Sequence, residues 1–531
     1  MGSRGSPRPG PAAENSPGPL SLERRAALWV FVSFLLLYLG FYSGSFTSSD
    51  EVAVFEMTRS LAERGDLSVP EIVHTGIGAD GQTRHSFFAP GQSVLALPFF
   101  GLAQIAGGLL PGSWLETLGG PPLFATPAAR LGGTSAIAIT GLYGPVSSAL
   151  LVALFFGCQR RLGVSGRNAA LASLILGTGT YLASLSSYFL RHATESILIL
   201  SAVFALRSWA LTDRRRFLWL ASVCASSVIL VRLPSAVFGL GFGAALLAAL
   251  IGKRGRRGNA RVWPGDLVAV GAPLLIVVGL HVGLNELRWG HPFGSPMTAQ
   301  QAILDNPIWN GITGLLFSPG AGMLWYSPIL LLSPVLLWAT RKKEPLLVAT
   351  IVGVFVPILL FVASYRHWPG LWSAPGPRYL YSCIPLLLLP LGLWLDGRPR
   401  RGLRKLTAIL ALAGSLIQGT LLLAPWGVTV SQMGYAAFGP EGPFLWSLSE
   451  GPLVGSFQTV WVHGDLSPLF LKIASGWPGH PAAPTLAACL GAVWAALLVL
   501  SARRTRGLVA RLDAPLAATP GRAPAGDSPS R

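Results

Sequence analysis

The sequence predicts an all-α polytopic membrane protein with about twelve transmembrane helices, both termini cytoplasmic, and a large first extracytoplasmic loop carrying juxtamembrane helices. Three observations predict it. The 531 residues are 51% hydrophobic and only 12% charged, whereas soluble domains carry about 25% charged residues. Apolar runs recur along the chain at the length a bilayer needs, about 20 residues and about 17 at the shortest. The basic clusters sit in the short gaps between those runs, as cytoplasmic retention of Lys and Arg requires. That placement also accounts for the net charge of +18 without a nucleic-acid partner, since no basic, aromatic-interleaved domain exists to bind one.

In chain order, residues 1–26 form a disordered cytoplasmic tail, rich at its start in Pro, Gly and Ser. Arg24 and Arg25 precede the run 27–44, which is long for a signal-peptide core and reads as a start-transfer anchor. The remaining spans are expected near 135–157, 168–187, 195–211, 217–232, 236–251, 267–286, 322–338, 345–363, 379–395, 406–425 and 486–502. One further apolar stretch, 87–110, contains Pro90 and Pro98. If it does not cross, the cytoplasmic segments hold 29 of the 40 Lys and Arg; if it crosses, every later basic cluster turns outward. It is therefore expected as a juxtamembrane or re-entrant element of the first outer loop, 45–134. A core over 27–425 is then followed by an extracytoplasmic loop at 426–485, a last span at 486–502 and a disordered cytoplasmic tail at 503–531. Cys158, Cys224, Cys383 and Cys489 have neither metal-knuckle nor disulfide spacing and read as small core residues.

The long irregular segments, 45–134, 287–321 (with RWGHPFGSPM) and 426–485 (with Trp426, Trp446, Trp461 and Trp477), share one face. Function is expected there. Just after the first span, FTSSDEVAVFEMTRSLAERG predicts a helix from about Asp50 to Arg64, ended by Gly65 and lying in the interface. Asp50 and Glu51 suit general-base work on a hydroxyl, and equally Ser48 with Glu51 fits a capping box. In SSYFLRHATES, Arg191, His192 and Glu195 gather where an apolar chain otherwise avoids charge. Such groups face a water-filled cavity, or a partner, or merely snorkel. Arg232, in VRLPSA, marks a helical hairpin turn and offers planar donors suited to phosphate. SYRHWPGLWSAPGPRYLY brings Arg366, His367, Trp368, Trp372, Arg378, Tyr379 and Tyr381 into one short loop. Its rings fit an interfacial aromatic belt, but its cations run against the positive-inside trend. RHSFFAPGQSVLALP carries Arg84 and His85 before a Pro-Gly turn. Glycine-rich phosphate loops, Ser-His-Asp elbows and zinc spacings are absent.

These segments in this order resemble the type C glycosyltransferase superfamily, membrane enzymes that use lipid-phosphate-linked sugars and include protein O-mannosyltransferases and aminoarabinose transferases. The resemblance covers roughly 27–425 and rests on the Asp50–Glu51 pair, HSFFAPGQSVLALP, YFLRHATES, GLLFSPGAGMLWYSP and WSAPGPRYLYSCIP. It implies Asp50 as the catalytic base, Glu51 supporting it, and Glu195 as a second-loop acid, a place where many members carry Asp. It further implies Arg191, Arg232, Arg366 and Arg378 at the donor phosphate, with His85, His192, His367, Tyr379 and Tyr381 lining the substrate. A divalent metal on Asp50, Glu51 and Glu195 is the one cofactor it leaves open. The partners implied are a polyprenyl-phosphate-linked sugar and a lipid, glycan or protein acceptor. The location implied is a bacterial inner membrane, with the active site facing outside.

Two rivals remain open on the sequence. A major-facilitator-like transporter or flippase suits twelve spans, yet GCQRRLGVSGR lacks an acid and midplane ionisable residues are scarce. An envelope polysaccharide polymerase or ligase also takes lipid-linked sugars, but its main loop usually falls late in the chain. The glycosyltransferase reading makes one geometric demand. Asp50, Glu195, Arg232 and Arg378 must meet in one watery pocket away from the basic clusters.

Overall fold

The computed structural model describes residues 19–109, 134–257, 264–293, 303–371, 373–434, 442–469, 471 and 483–514. Trp372 and Trp477, both singled out above, lie outside the described residues, as do most of the two tails.

The chain is an all-α membrane protein. Among the described residues ten helices are long and apolar enough to cross a membrane. Nine of them coincide with expected spans, from Ser21–Phe41 to Ala488–Asp513; the tenth, Gly91–Leu109, is the stretch that charge assigned to the first outer loop. Three expected spans are short or broken. Residues 168–187 fall in Gly166–Gly179 and the single turn Leu182–Leu185, parted by an extended Thr180. Arg215–Val231 has 17 residues. The 322–338 run divides into Met323–Tyr326, a 3₁₀ turn at Pro328–Leu332 and Ser333–Thr340. Pro328 and Pro334 supply no backbone N–H to carry a continuous ladder there.

Lipid-facing composition agrees with the class. On Pro264–Trp289, Leu275 is 73% and Ile276 63% exposed, surface that water would not tolerate in such a run but acyl chains do. Polar groups tie the helices from within: Tyr38 donates to the Gly177 carbonyl, and Trp494 donates to the Leu36 carbonyl. At the basic end, the N–H groups opening Gly166–Gly179 are satisfied by Asp513, while Asp396 accepts from Ser165. Those helix-end donors need acceptors, and acids there complement the dipole.

The opposite end positions the site. Helix α1 (Pro19–Phe41) leads into α2 (Ser49–Glu63). Ser48 caps α2 with a complete capping box to Glu51, and Gly65 at φ +72° stops it, as its sequence predicts. The chain then forms a small antiparallel hairpin, β1 (Thr75–Ile77) with β2 (Arg84–Ser86), the one sheet among the described residues. Its turn is made by Asp80 accepting from the Gln82 and Thr83 N–H groups and by Gly81 at φ +70°. Next comes α3 (Gly91–Leu109), which buries Ser93, Ala96 and Phe100 while Ile105 and Leu109 stay exposed. Ser93 donates to the Val54 carbonyl of α2, and Phe100 packs on Phe55. A separate apolar cluster of α2, α3, Tyr143 and Phe189 thus sits at this end of the main core.

Candidate active site

Asp50 lies in the first turn of α2 and is 5% exposed. Arg378 Nη1 donates to its Oδ2 at 2.7 Å, and His74 Nε2 lies 3.3 Å from its Oδ1. Burial alone would raise this carboxyl, but Arg378, His74 and Arg191 more than offset that and hold it well below the ordinary carboxylate range. Asp50 is therefore an anion held by the guanidinium groups of two distant segments, with the His74 imidazole beside it.

Glu51, its neighbour, faces elsewhere. Its Oε2 accepts from the backbone N–H groups of Thr47 and Ser48 at 2.8 and 3.0 Å. Its Oε1 accepts from the Phe189 N–H at 2.7 Å. The side chain closes the capping box and ties α2 to the turn that carries Arg191. Burial nevertheless pushes its carboxyl up to about 7, against those donors.

Glu195 opens the helix His192–Thr212 and is 1% exposed. Ser235 donates to its Oε1 at 2.5 Å and Arg232 Nη1 lies 3.4 Å from its Oε2. Arg232 also donates to the Ser235 hydroxyl at 3.2 Å. The hairpin turn after Arg215–Val231 makes this possible, because Pro234 opens a 3₁₀ segment, Leu233–Val237, that brings Ser235 back beneath Arg232. His192, one turn before Glu195, packs its ring 5.9 Å from that of Tyr381.

Tyr379 joins the two halves. Its ring centroid is 4.9 Å from the Arg232 guanidinium and 5.0 Å from that of Arg378, and Arg378 Nη2 donates to its hydroxyl at 3.2 Å. Arg191 completes the group. Its guanidinium lies 4.2 Å from the centre of the Phe88 ring and interacts electrostatically with Asp50, Arg232, Arg378 and Glu195. Burial draws its pKa down to about 10. Among the described residues Arg191 has no carboxylate in ion-pair contact, and the buried Nε of both Arg191 and Arg378 lacks a hydrogen-bond partner. Three guanidinium groups thus face two carboxylates, before either histidine is counted.

Asp50, Glu195, Arg232 and Arg378 do meet, together with Arg191, His192, Tyr379 and Tyr381. Other expected residues stand apart. Arg366 pairs with Asp305, both about half exposed, and neither touches the central acids. His367 packs against Tyr365, which in turn meets Tyr379. His85 sits in β2 with Nδ1 3.1 Å from the Leu67 carbonyl and its ring against Trp289, a structural post of the hairpin.

Three contributors escaped the sequence: His74, Ser235 and Arg288. The buried Arg288, at the end of Pro264–Trp289, donates through Nη1 to the Ser86 and Phe88 carbonyls at 3.2 and 3.0 Å. Its own carbonyl accepts from the Ala79 N–H, so one residue clamps the hairpin that presents His74. RWGHPFGSPM marked that segment, but no local signal tied it to the first loop.

Among the described residues no cluster of three or more His, Cys, Asp or Glu is placed to hold a metal ion. Asp50 and Glu195 each face a guanidinium, and Glu51 is turned onto backbone donors. In this structure the three acids are thus engaged by protein donors.

No family model matches the chain, and no curated protein does. Solved structures similar to it include ArnT from Cupriavidus metallidurans bound to undecaprenyl phosphate, at 14% identity and TM-score 0.45, covering 93% of this chain and 77% of that one. The apo state of the same protein gives 14% identity and TM-score 0.44, covering 91% and 75%. The Archaeoglobus fulgidus oligosaccharyltransferase in its apo form gives 12% identity and TM-score 0.35, covering 78% and 56%.

Proposed function

We propose that this protein is a membrane glycosyltransferase that moves a sugar from a polyprenyl-phosphate donor to a hydroxyl acceptor, with inversion at the anomeric carbon. One observation carries the reading: a buried carboxylate, Asp50, lies among three guanidinium groups that outnumber the acids facing them. An excess of buried positive charge is costly unless an anion completes it. A base beside an anion site is what transfer from a phosphate leaving group requires.

In this mechanism the donor phosphate is held by Arg191 and Arg378, whose buried Nε groups have no acceptor among the described residues. The acceptor oxygen attacks the anomeric carbon from the face opposite the phosphate. The C–O bond to the phosphate breaks, its electron pair leaves with the phosphate, and the acceptor proton passes to Asp50. Such base catalysis is worth about 10²–10⁴-fold, and fixed cations on the leaving group add electrostatic stabilisation. Glu195 stations Arg232 rather than touching substrate. On this reading the site faces the outside of a bacterial inner membrane, which the positive-inside bias of the sequence supports.

Purified protein in vesicles, given undecaprenyl-phosphate sugars and candidate acceptors, should release undecaprenyl phosphate, and Asp50→Asn should abolish release while remaining in the membrane. A donor translocated intact would instead identify a carrier, and undiminished turnover by the variant would remove Asp50 from the role of base.

A further inference from the structure

Asp50 is a poor base as it rests. A carboxylate held so far below its ordinary range by neighbouring cations has little affinity for a proton. The cation in direct contact is Arg378, through Nη1 at 2.7 Å. The remaining donors of that guanidinium are only partly used: Nη2 reaches the Tyr379 hydroxyl at 3.2 Å, and the buried Nε has no partner among the described residues. A guanidinium presents five N–H groups in a fixed fork that suits phosphate oxygens at two points. Arg191, with its own unused Nε, stands close enough to interact with both Asp50 and Arg378.

We propose that Arg378 is shared between Asp50 and the donor phosphate, so that capture of the guanidinium by the phosphate is what makes Asp50 basic. The inference rests on the glycosyltransferase reading and deepens it. Two anions competing for one cation are thermodynamically coupled, and the coupling is reciprocal. As the sugar–phosphate bond breaks, the phosphate gains charge, approaching about −1.5 to −2 for a monoester. Its hold on Arg378 then strengthens at the moment the acceptor proton must leave. His74, at 3.3 Å on the other carboxylate oxygen, acts as the positioning residue that keeps Asp50 in place meanwhile. The hairpin bearing His74 is clamped by Arg288 and not by Arg378, so this hold survives the exchange. Donor binding precedes and enables activation of the acceptor, which protects the reactive site from idle deprotonation.

The test is the affinity for undecaprenyl phosphate of four full-length purified proteins: wild type, Asp50→Asn, Arg378→Gln and the double variant. Sharing predicts that Asp50→Asn binds about tenfold more tightly than wild type, and that this gain vanishes in the Arg378→Gln background. An equal gain in both backgrounds reports only the loss of a negative charge and overturns the sharing, as does the absence of any gain. Failure of all four proteins to bind overturns the donor reading itself. A carboxyl-directed carbodiimide gives a second measurement on wild type alone. Undecaprenyl phosphate should increase modification of Asp50, followed by peptide mass spectrometry, and no increase counts against the exchange.

Discussion

The two acidic halves of the site are built differently. Glu195 is held by partners from neighbouring helices, His192 one turn away and Arg232 and Ser235 within 40 residues. Its shortest bond is to a hydroxyl at 2.5 Å, with the guanidinium at 3.4 Å. Asp50 has its closest bond to a guanidinium 328 residues away, and its second partner comes from a hairpin. A carboxylate locked by local partners builds a site. One whose closest bond is to a guanidinium from a remote loop is freed of it when that guanidinium finds another anion. On the proposed function the difference casts Glu195 as architecture and Asp50 as chemistry.

Substituting both acids tests that assignment where the effect is largest. Asp50→Asn is expected to lose about 10²–10⁴-fold in turnover. Glu195→Gln should first lose stability, by about 3–5 kcal/mol, because it strands the buried Arg232. Turnover and thermal unfolding in the same detergent separate the two. A Glu195→Gln protein as stable as wild type but as inactive as Asp50→Asn would erase the distinction.

Arg191 sharpens the comparison at the next scale. Because no carboxylate pairs with it among the described residues, its removal leaves no buried acid behind. Arg191→Gln should therefore cost little stability while weakening undecaprenyl-phosphate binding. A charge-assisted contact is worth about 1.5–3 kcal/mol, or roughly 10- to 150-fold in affinity. Arg232→Gln, which strands Glu195, should show the reverse balance.

Much of this site was legible because charge is expensive in an apolar chain. Asp50, Arg191, Glu195, Arg232 and Arg378 stand out where membrane-embedded sequence tolerates few ions, and the structure brings all five together. The capping box and the Gly65 stop were equally readable, since both depend on spacing within one turn. His74 was not. It lies in an ordinary polar loop, and it reaches Asp50 only through the register Thr75↔Ser86 and the Arg288 clamp. Arg366 stands apart for the complementary reason. Its partner Asp305 comes from another loop, 61 residues away, and the pairing takes it out of the cluster.

Glu51 offers a smaller, pH-dependent contrast with Asp50. Its carboxyl is raised from an ordinary 4.5 to about 7 by burial. A folded-state value above the unfolded one means that its contribution to stability is fully present below about pH 4.5 and is lost as pH rises through about 7. The other titratable groups facing it, Tyr42 and Tyr188, are raised still higher and stay neutral throughout. Wild type should therefore lose stability between pH 4.5 and 7 relative to Glu51→Gln, which does not titrate. A stability difference flat across that window would show that the backbone donors, not burial, govern this acid.

Arg366→Gln should do least of all. Its partner Asp305 is about half exposed, so the pair is screened by solvent and contributes little. Binding of undecaprenyl phosphate and turnover should both stay near wild type. The result matters because Arg366 and Arg378 lie in the same short loop and differ only in what they face. A large loss of phosphate affinity in Arg366→Gln would mean that the loop rearranges on binding, and that the resting division between the two arginines does not describe the phosphate-bound state.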